Sequence, residues 1–406
     1  MRHAPLGFAG FVALIAALMA LNALAIDVML PGLPAIGAAF ALSDPNQAQT
    51  VISAYLAGFG IGQLLTGVLA DRYGRRPVLL TGLVLYALAA FACVAAPSME
   101  MLLAARFAQG LGSAAPRVVA VAAVRDCYGG RRMARVMSLV MMVFMAVPVL
   151  APSLGQIILL LAPWRAVFGL LALYGVVMLW LCWRLLPETL HPEFRRPIRL
   201  DAIVEALGSM TGSRQTMGYM LAAGAFLGAL FGFINSAQQA LGEVLGLGEW
   251  FPAVFAVAAS SIALASFVNA RLVERLGMRV LSHGATIAYL ALALAMIALE
   301  RAGLLGLWVF LPLLTLSTLL VGLVFPNFNA LAMEPQAHVA GVASSVIGAV
   351  TILIGAGGGY LVGQAFDGTL LPLAVGFAVF AAATLAVLFW AERGRLLRPS
   401  PPEAIR

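Results

Sequence analysis

Gly67-Val68-Leu69-Ala70-Asp71-Arg72-Tyr73-Gly74-Arg75-Arg76 stands between two apolar runs, 50–70 and 78–96. The string is too charged to enter lipid and too short to be a domain. It therefore reads as a hairpin that leaves a membrane and turns straight back. Gly67 precedes Asp71 by four residues, one helical turn, and its missing side chain lets a neighbouring helix come close. Gly74 permits the tight reversal.

The surrounding composition agrees. Of 406 residues, 63% are hydrophobic and 10% charged, against roughly 25% charged in a soluble domain. Too few charges remain to cover a water-soluble surface. Every basic residue is Arg. The net charge of +7 lies in short loops and the tail, which suits contact with anionic lipid headgroups. Without a basic groove and stacking aromatics, nucleic acid is not an expected partner. Cys93, Cys127 and Cys182 are far apart and lack metal-ligand spacing, so they read as small apolar fillers rather than a disulfide framework or a metal site.

Further apolar runs of spanning length occur at 8–30, 100–124, 134–160, 165–186, 215–239, 252–270, 280–299, 304–328, 340–364 and 371–391. With the first pair they make twelve, in two groups of six. The fold expected is an all-α polytopic membrane protein of two six-helix bundles, 1–186 and 215–392. The polar segment 187–214 is expected to form a cytoplasmic linker with a short interfacial helix, and 393–406 a cytoplasmic tail. Run 8–30 lacks a short apolar region with a cleavage site, so it reads as a retained helix. With the N-terminus inside, Arg72, Arg75, Arg76, Arg125, Arg131, Arg132, Arg135, Arg271, Arg275 and Arg279 all fall on the cytoplasmic side, leaving Arg165 and Arg301 outside. Both termini are then cytoplasmic.

Arg271-Leu272-Val273-Glu274-Arg275-Leu276-Gly277-Met278-Arg279 places a second basic, Gly-containing turn at the matching hairpin of the second half. Such repeats imply a substrate site between the halves near mid-bilayer.

An ionisable side chain inside a span costs several kcal/mol and marks a functional site by default. Asp27 sits near the outer end of the first run, and Arg106 about two turns into the fourth, entering from outside. Similar depth makes contact possible. Arg117, eleven residues on, returns to within about 20° of the Arg106 face and ~16 Å deeper, with Gln109 and Gly110 flanking the stripe. Its role stays open between an anion contact for substrate and a structural hydrogen-bond donor.

These strings resemble the major facilitator superfamily, in particular its twelve-helix drug:proton antiporters. Gly67 to Arg76 matches G-x-L-A-D-R-x-G-R-[KR] nearly position for position. Arg106-Phe107-Ala108-Gln109-Gly110-Leu111-Gly112 resembles the fourth-helix R-x-x-Q-G-x-G motif. Ala151-Pro152-Ser153-Leu154-Gly155-Gln156 resembles the fifth-helix antiporter motif, with Gln156 replacing its second Gly. Asp27-Val28-Met29-Leu30-Pro31-Gly32-Leu33-Pro34 resembles a segment of the Bcr/CflA multidrug branch, departing at Met29 and Gly32, and Arg125-Asp126 also fits that branch.

The resemblance implies proton-coupled efflux of small amphipathic compounds such as antibiotics by a monomer in the bacterial inner membrane, without a cofactor. A proton-driven transporter of a sugar or amino-acid derivative is the alternative on the same fold. Asp27 would exchange a proton against substrate, tuned by Arg106. Gly67, Asp71, Arg72, Gly74, Arg75, Arg76 and Asp126 would latch the cytoplasmic side. Pro148, Pro152 and Gly155 would bend the fifth helix. Asn22, Tyr55, Arg117, Phe231, Asn235, Gln238 and Asn327 are the cavity candidates. An intramembrane enzyme finds no support, since no HExxH or nucleotide loop is present. Gly355-Ala356-Gly357-Gly358-Gly359 lacks the Lys-Ser/Thr and preceding strand of a phosphate loop and reads as close helix packing.

Overall fold

A computed structural model describes residues 6–195 and 200–397. Among these residues every regular element is helical, and twelve helical stretches are long and apolar enough to cross a membrane. In lipid each backbone N–H must be satisfied within the segment, which is why long apolar runs resolve as helices. The chain divides into two compact units, Met1–Leu200 and Asp201–Arg406.

The first unit contains α1 (Phe8–Asp27), α2 (Leu33–Ala39), α3 (Thr50–Tyr73), α4 (Arg75–Ala95), α5 (Met99–Cys127), α6 (Gly130–Leu161) and α7 (Arg165–Leu185). The first span is longer than the apolar run and broken. α1 stops at Asp27, a 3-10 turn covers Leu30–Gly32, and α2 carries the chain to Ala39. Pro31 and Pro34 cause the break, since neither has an N–H to give to the carbonyl four residues back. α5 forms the middle of this unit, packed on α3, α4 and α1. A β-carbon at Gly110 would sit inside contact distance of the Tyr55 carbonyl oxygen, so the α3–α5 approach is a backbone-to-backbone fit. Cys93, Cys127 and Cys182 are free thiols and buried.

The second unit holds α8 (Leu200–Gly212), α9 (Arg214–Ala237), α10 (Phe251–Leu276), α11 (Met278–Arg301), α12 (Leu307–Met333), α13 (Ala340–Gln364) and α14 (Leu371–Ala391). α9 takes the central place, packed on α13, α14 and α12. The glycine run of α13 lies on this seam: a β-carbon at Gly358 would come within 2.9 Å of the Gly228 Cα.

The two hairpin glycines play the same part in each unit. Gly74 (φ 105°) ends α3 and opens α4, and Gly277 (φ 78°) ends α10 and opens α11. Both lie in the left-handed region that side chains disfavour.

The polar segment expected as a linker is divided between the units. Glu188 and Thr189 are built into the first, and α8 into the second, where Ser209 Oγ donates to Gln336 Oε1 at 3.1 Å. Residues 196–199 and 398–406 of the expected linker and tail lie outside the described residues.

Behind the second hairpin, Leu397 N–H donates to His283 Nδ1 at 3.2 Å, so Nε2 carries the ring proton and donates to Tyr219 Oη at 2.9 Å. The Tyr219 hydroxyl passes its proton toward Glu392 Oε1 at 2.6 Å, where Arg279 Nε also donates at 2.9 Å. Partial burial works to raise the Glu392 carboxyl, but the bonds from Tyr219 and Arg279 outweigh it and hold it below its ordinary 4.5. A carboxyl lowered on folding stabilises above its unfolded value, and that contribution disappears as pH falls through the folded value. Glu392→Gln should therefore melt below the wild type at pH 7. The gap should close as pH falls below 4.5, read by tryptophan fluorescence; a gap that stays constant would contradict the assignment.

Candidate functional site

Three charged side chains lie away from the ends of the described spans: Asp27, Arg106 and Arg117. All belong to the first unit. Arg106 is fully buried, and its guanidinium is held on every side. Nη2 donates to the Ala25 carbonyl at 3.1 Å, Nε to the Val51 carbonyl at 3.2 Å and Nη1 to Gln109 Oε1 at 2.6 Å. The Tyr55 ring lies 4.4 Å from the guanidinium carbon. Arg106 thus ties α1, α3 and α5 together at one level.

Asp27 sits two residues past the Ala25 carbonyl that Arg106 grips, yet the two charges do not pair. All three guanidinium nitrogens of Arg106 already donate to a carbonyl group or to Gln109. Asp27 is 4% exposed and has no hydrogen-bonding or ionic partner among the described residues. It also stands in the last turn of α1, where the negative end of the helix dipole opposes a second negative charge.

Gly155 closes this corner. A β-carbon there would overlap the Val28 carbonyl oxygen, one residue from Asp27. α6 itself runs continuously through Pro148 and Pro152. The antiporter-like motif is therefore in contact with the segment that carries the carboxyl, a link that sequence spacing did not reveal.

Deeper in the same unit, Asn22 Nδ2 donates to Tyr55 Oη at 3.1 Å and to Ser113 Oγ at 3.4 Å. Ser113 was not singled out in the sequence, although its position four residues before Arg117 puts it on the Arg106–Arg117 stripe. Arg117 is half-buried, with its guanidinium carbon 5.2 Å from the Phe144 ring.

At the hairpin, Arg75 is buried between two acids: Nη1 meets Asp71 at 2.5 Å and Nε meets Asp126 at 3.2 Å. Glu188 caps α4, accepting from the Arg75 and Arg76 backbone N–H groups at 2.9 and 3.3 Å. Negative charge at a helix N-terminus is favourable, and a β-carbon at Gly74 would strike that carboxylate. Thr189 Oγ1 donates to Asp126 at 3.2 Å, and Arg76 Nη2 to the Trp183 carbonyl at 2.7 Å. Arg72 is exposed, and Gly67 lies on α3 one turn before Asp71. Glu188 was read only as part of a polar linker, because nothing in its local sequence points to a cap some 110 residues away.

The second-unit candidates are mostly held by their own helices. Asn235 donates to the Phe231 carbonyl at 2.8 Å, and both residues face Gly359 of α13. Asn327 donates to Asn269 Oδ1 at 2.6 Å and to the Leu323 carbonyl at 2.7 Å. Gln238 differs: it opens a π-helical segment, Gln238–Val244, and its buried Oε1 has no partner among the described residues. Such segments are frequent at functional sites.

A model of the Major Facilitator Superfamily matches residues 15–359. The chain belongs to the Major Facilitator Superfamily. It is a transporter rather than an enzyme, and a multi-pass membrane protein of the superfamily's twelve-helix form. It is 33% identical to the "Uncharacterized MFS-type transporter YdgK" of Bacillus subtilis, over 84% of this chain and 85% of that one. It is 30% identical to the "Bicyclomycin resistance protein homolog" of Haemophilus influenzae, over 89% and 90%. Among solved structures, a bacterial homolog of the human lysosomal transporter Spinster aligns with a TM-score of 0.75 at 17% identity, over 97% of this chain and 98% of that one. The last likeness concerns the superfamily fold alone.

Proposed function

We propose that this superfamily member is a proton-coupled exporter of small amphipathic compounds, working by alternating access in a bacterial inner membrane with both termini cytoplasmic. One observation carries the reading: Asp27 is a buried carboxyl without a partner, at a proline-broken corner against which Gly155 packs. A charge held as mere structure would be paired, as Arg75 is. An unpaired carboxyl in a low-dielectric corner is stable there only while it holds a proton, and it can surrender that proton when a bound compound donates a hydrogen bond to the carboxylate. Arg106 braces the corner through the Ala25 carbonyl and acts as a positioning residue. The resistance named for the Haemophilus influenzae relative supports drug export as the direction. The hairpin network around Arg75 acts as the cytoplasmic latch.

Asp27→Asn keeps the shape and polarity but cannot titrate. In proteoliposomes with a pH-sensitive dye, the variant should insert normally and is assayed at equal density. Drug-induced proton release should vanish, and gradient-driven efflux should fall at least about tenfold, within the range general for a lost proton-transfer group. Full proton-coupled efflux in this variant would overturn the proposal.

A further inference from the structure

Arg117 and Arg106 share a helix face but not an environment. Arg117 lies ten residues before the cytoplasmic end of α5 at Cys127, ~15 Å along the axis, too deep for its side chain to reach headgroups. A guanidinium has five N–H donors. Three of those on Arg106 are met by two carbonyls and an amide, whereas those of Arg117 meet no acceptor among the described residues. Its neighbour is the Phe144 ring. The acids of the first unit offer no partner either: Asp71 and Asp126 are engaged by Arg75, and Asp27 ends α1 at the Arg106 level.

The structural-donor role left open by the sequence therefore lacks acceptors. A cation at this depth without a counter-charge is costly, and no acid among the described residues pairs with it. One turn along the same face, Ser113 joins Asn22 and Tyr55. This face thus offers a cation beside an aromatic ring to whatever lies against it.

Resting on the reading of the protein as an exporter, we propose that Arg117 binds the acid group of the transported compound. The substrate class is amphipathic organic acids: a carboxylate taken by the Arg117 fork, with an apolar or aromatic body beside Phe144. The guanidinium geometry favours a planar carboxylate, which it can grip through two parallel bonds.

Dansylglycine, a fluorescent amphipathic carboxylate, and its uncharged amide test this in lipid nanodiscs. The wild type should bind the acid at least about tenfold more tightly than the amide, the worth of a charge-assisted hydrogen bond. Arg117→Gln should bring the ratio near one, and Arg117→Lys, which keeps the charge, should retain several-fold preference. Equal binding of acid and amide by the wild type, absence of acid binding, or an unchanged ratio in Arg117→Gln would overturn the proposal. The wild-type comparison needs no variant to fold. Proton release is read separately. Release that persists in Asp27→Asn would sink the coupling role of Asp27 while the acid preference stands, and loss of acid preference with Asp27-dependent release intact would sink only the Arg117 assignment.

Discussion

Arg106→Met should lower the stability of the purified protein by about 2–4 kcal/mol, since hydrogen bonds to charged groups contribute about 1.5–3 kcal/mol in water and less in membranes. The substitution removes donors to the Ala25 and Val51 carbonyls and to Gln109 together. It leaves those acceptors in an apolar interior and cuts the tie between α1, α3 and α5. Methionine fills much of the volume, so the loss would report hydrogen bonds rather than a cavity. The three buried thiols provide the readout: a thiol-reactive fluorophore should label Cys93 at a lower temperature than in the wild type. Arg106→Lys should rescue little, because one ammonium cannot span acceptors on three helices. An unchanged melt in Arg106→Met would mean that well-packed apolar contacts can replace the buried charge, as happens in some proteins.

Gly155→Val should abolish proton-coupled efflux and cost about 1–3 kcal/mol of stability, the usual penalty for overpacking. The new side chain would collide with the Val28 carbonyl, a backbone atom that cannot rotate away. α6 must therefore move off α1 at the corner that holds Asp27. Gly169→Ala on α7 is the control, because a β-carbon there meets nothing within 4 Å. That variant should transport normally and gain slightly from helix propensity. Normal proton release by Gly155→Val would show that the corner tolerates displacement and would remove Gly155 from the mechanism.

The parts legible in the sequence and the parts that were not differ in physical kind. Spans were readable because each must satisfy its own backbone and present apolar side chains to lipid; even the reversals at Gly74 and Gly277 were marked by residue type. The Asp71–Arg76 string and the stripe from Arg106 to Arg117 were visible because spacings of four and eleven residues stay on one helix face. Partnership was not visible. Depth alone made Asp27 and Arg106 candidates for contact, yet carbonyls of Ala25 and Val51 occupy the guanidinium instead, and carbonyls look the same at every position of a sequence. The Glu188 cap on α4, the seat of Gly155 on Val28 and the bond from Asn327 to Asn269 all join residues far apart in the chain. The sequence by itself determined the membrane, the helices and which faces carry charge, because those follow from local hydropathy and helical period. Only the tertiary structure decided which charges are satisfied and which stand open, because hydrogen-bond partners are chosen by packing between helices that no local pattern encodes.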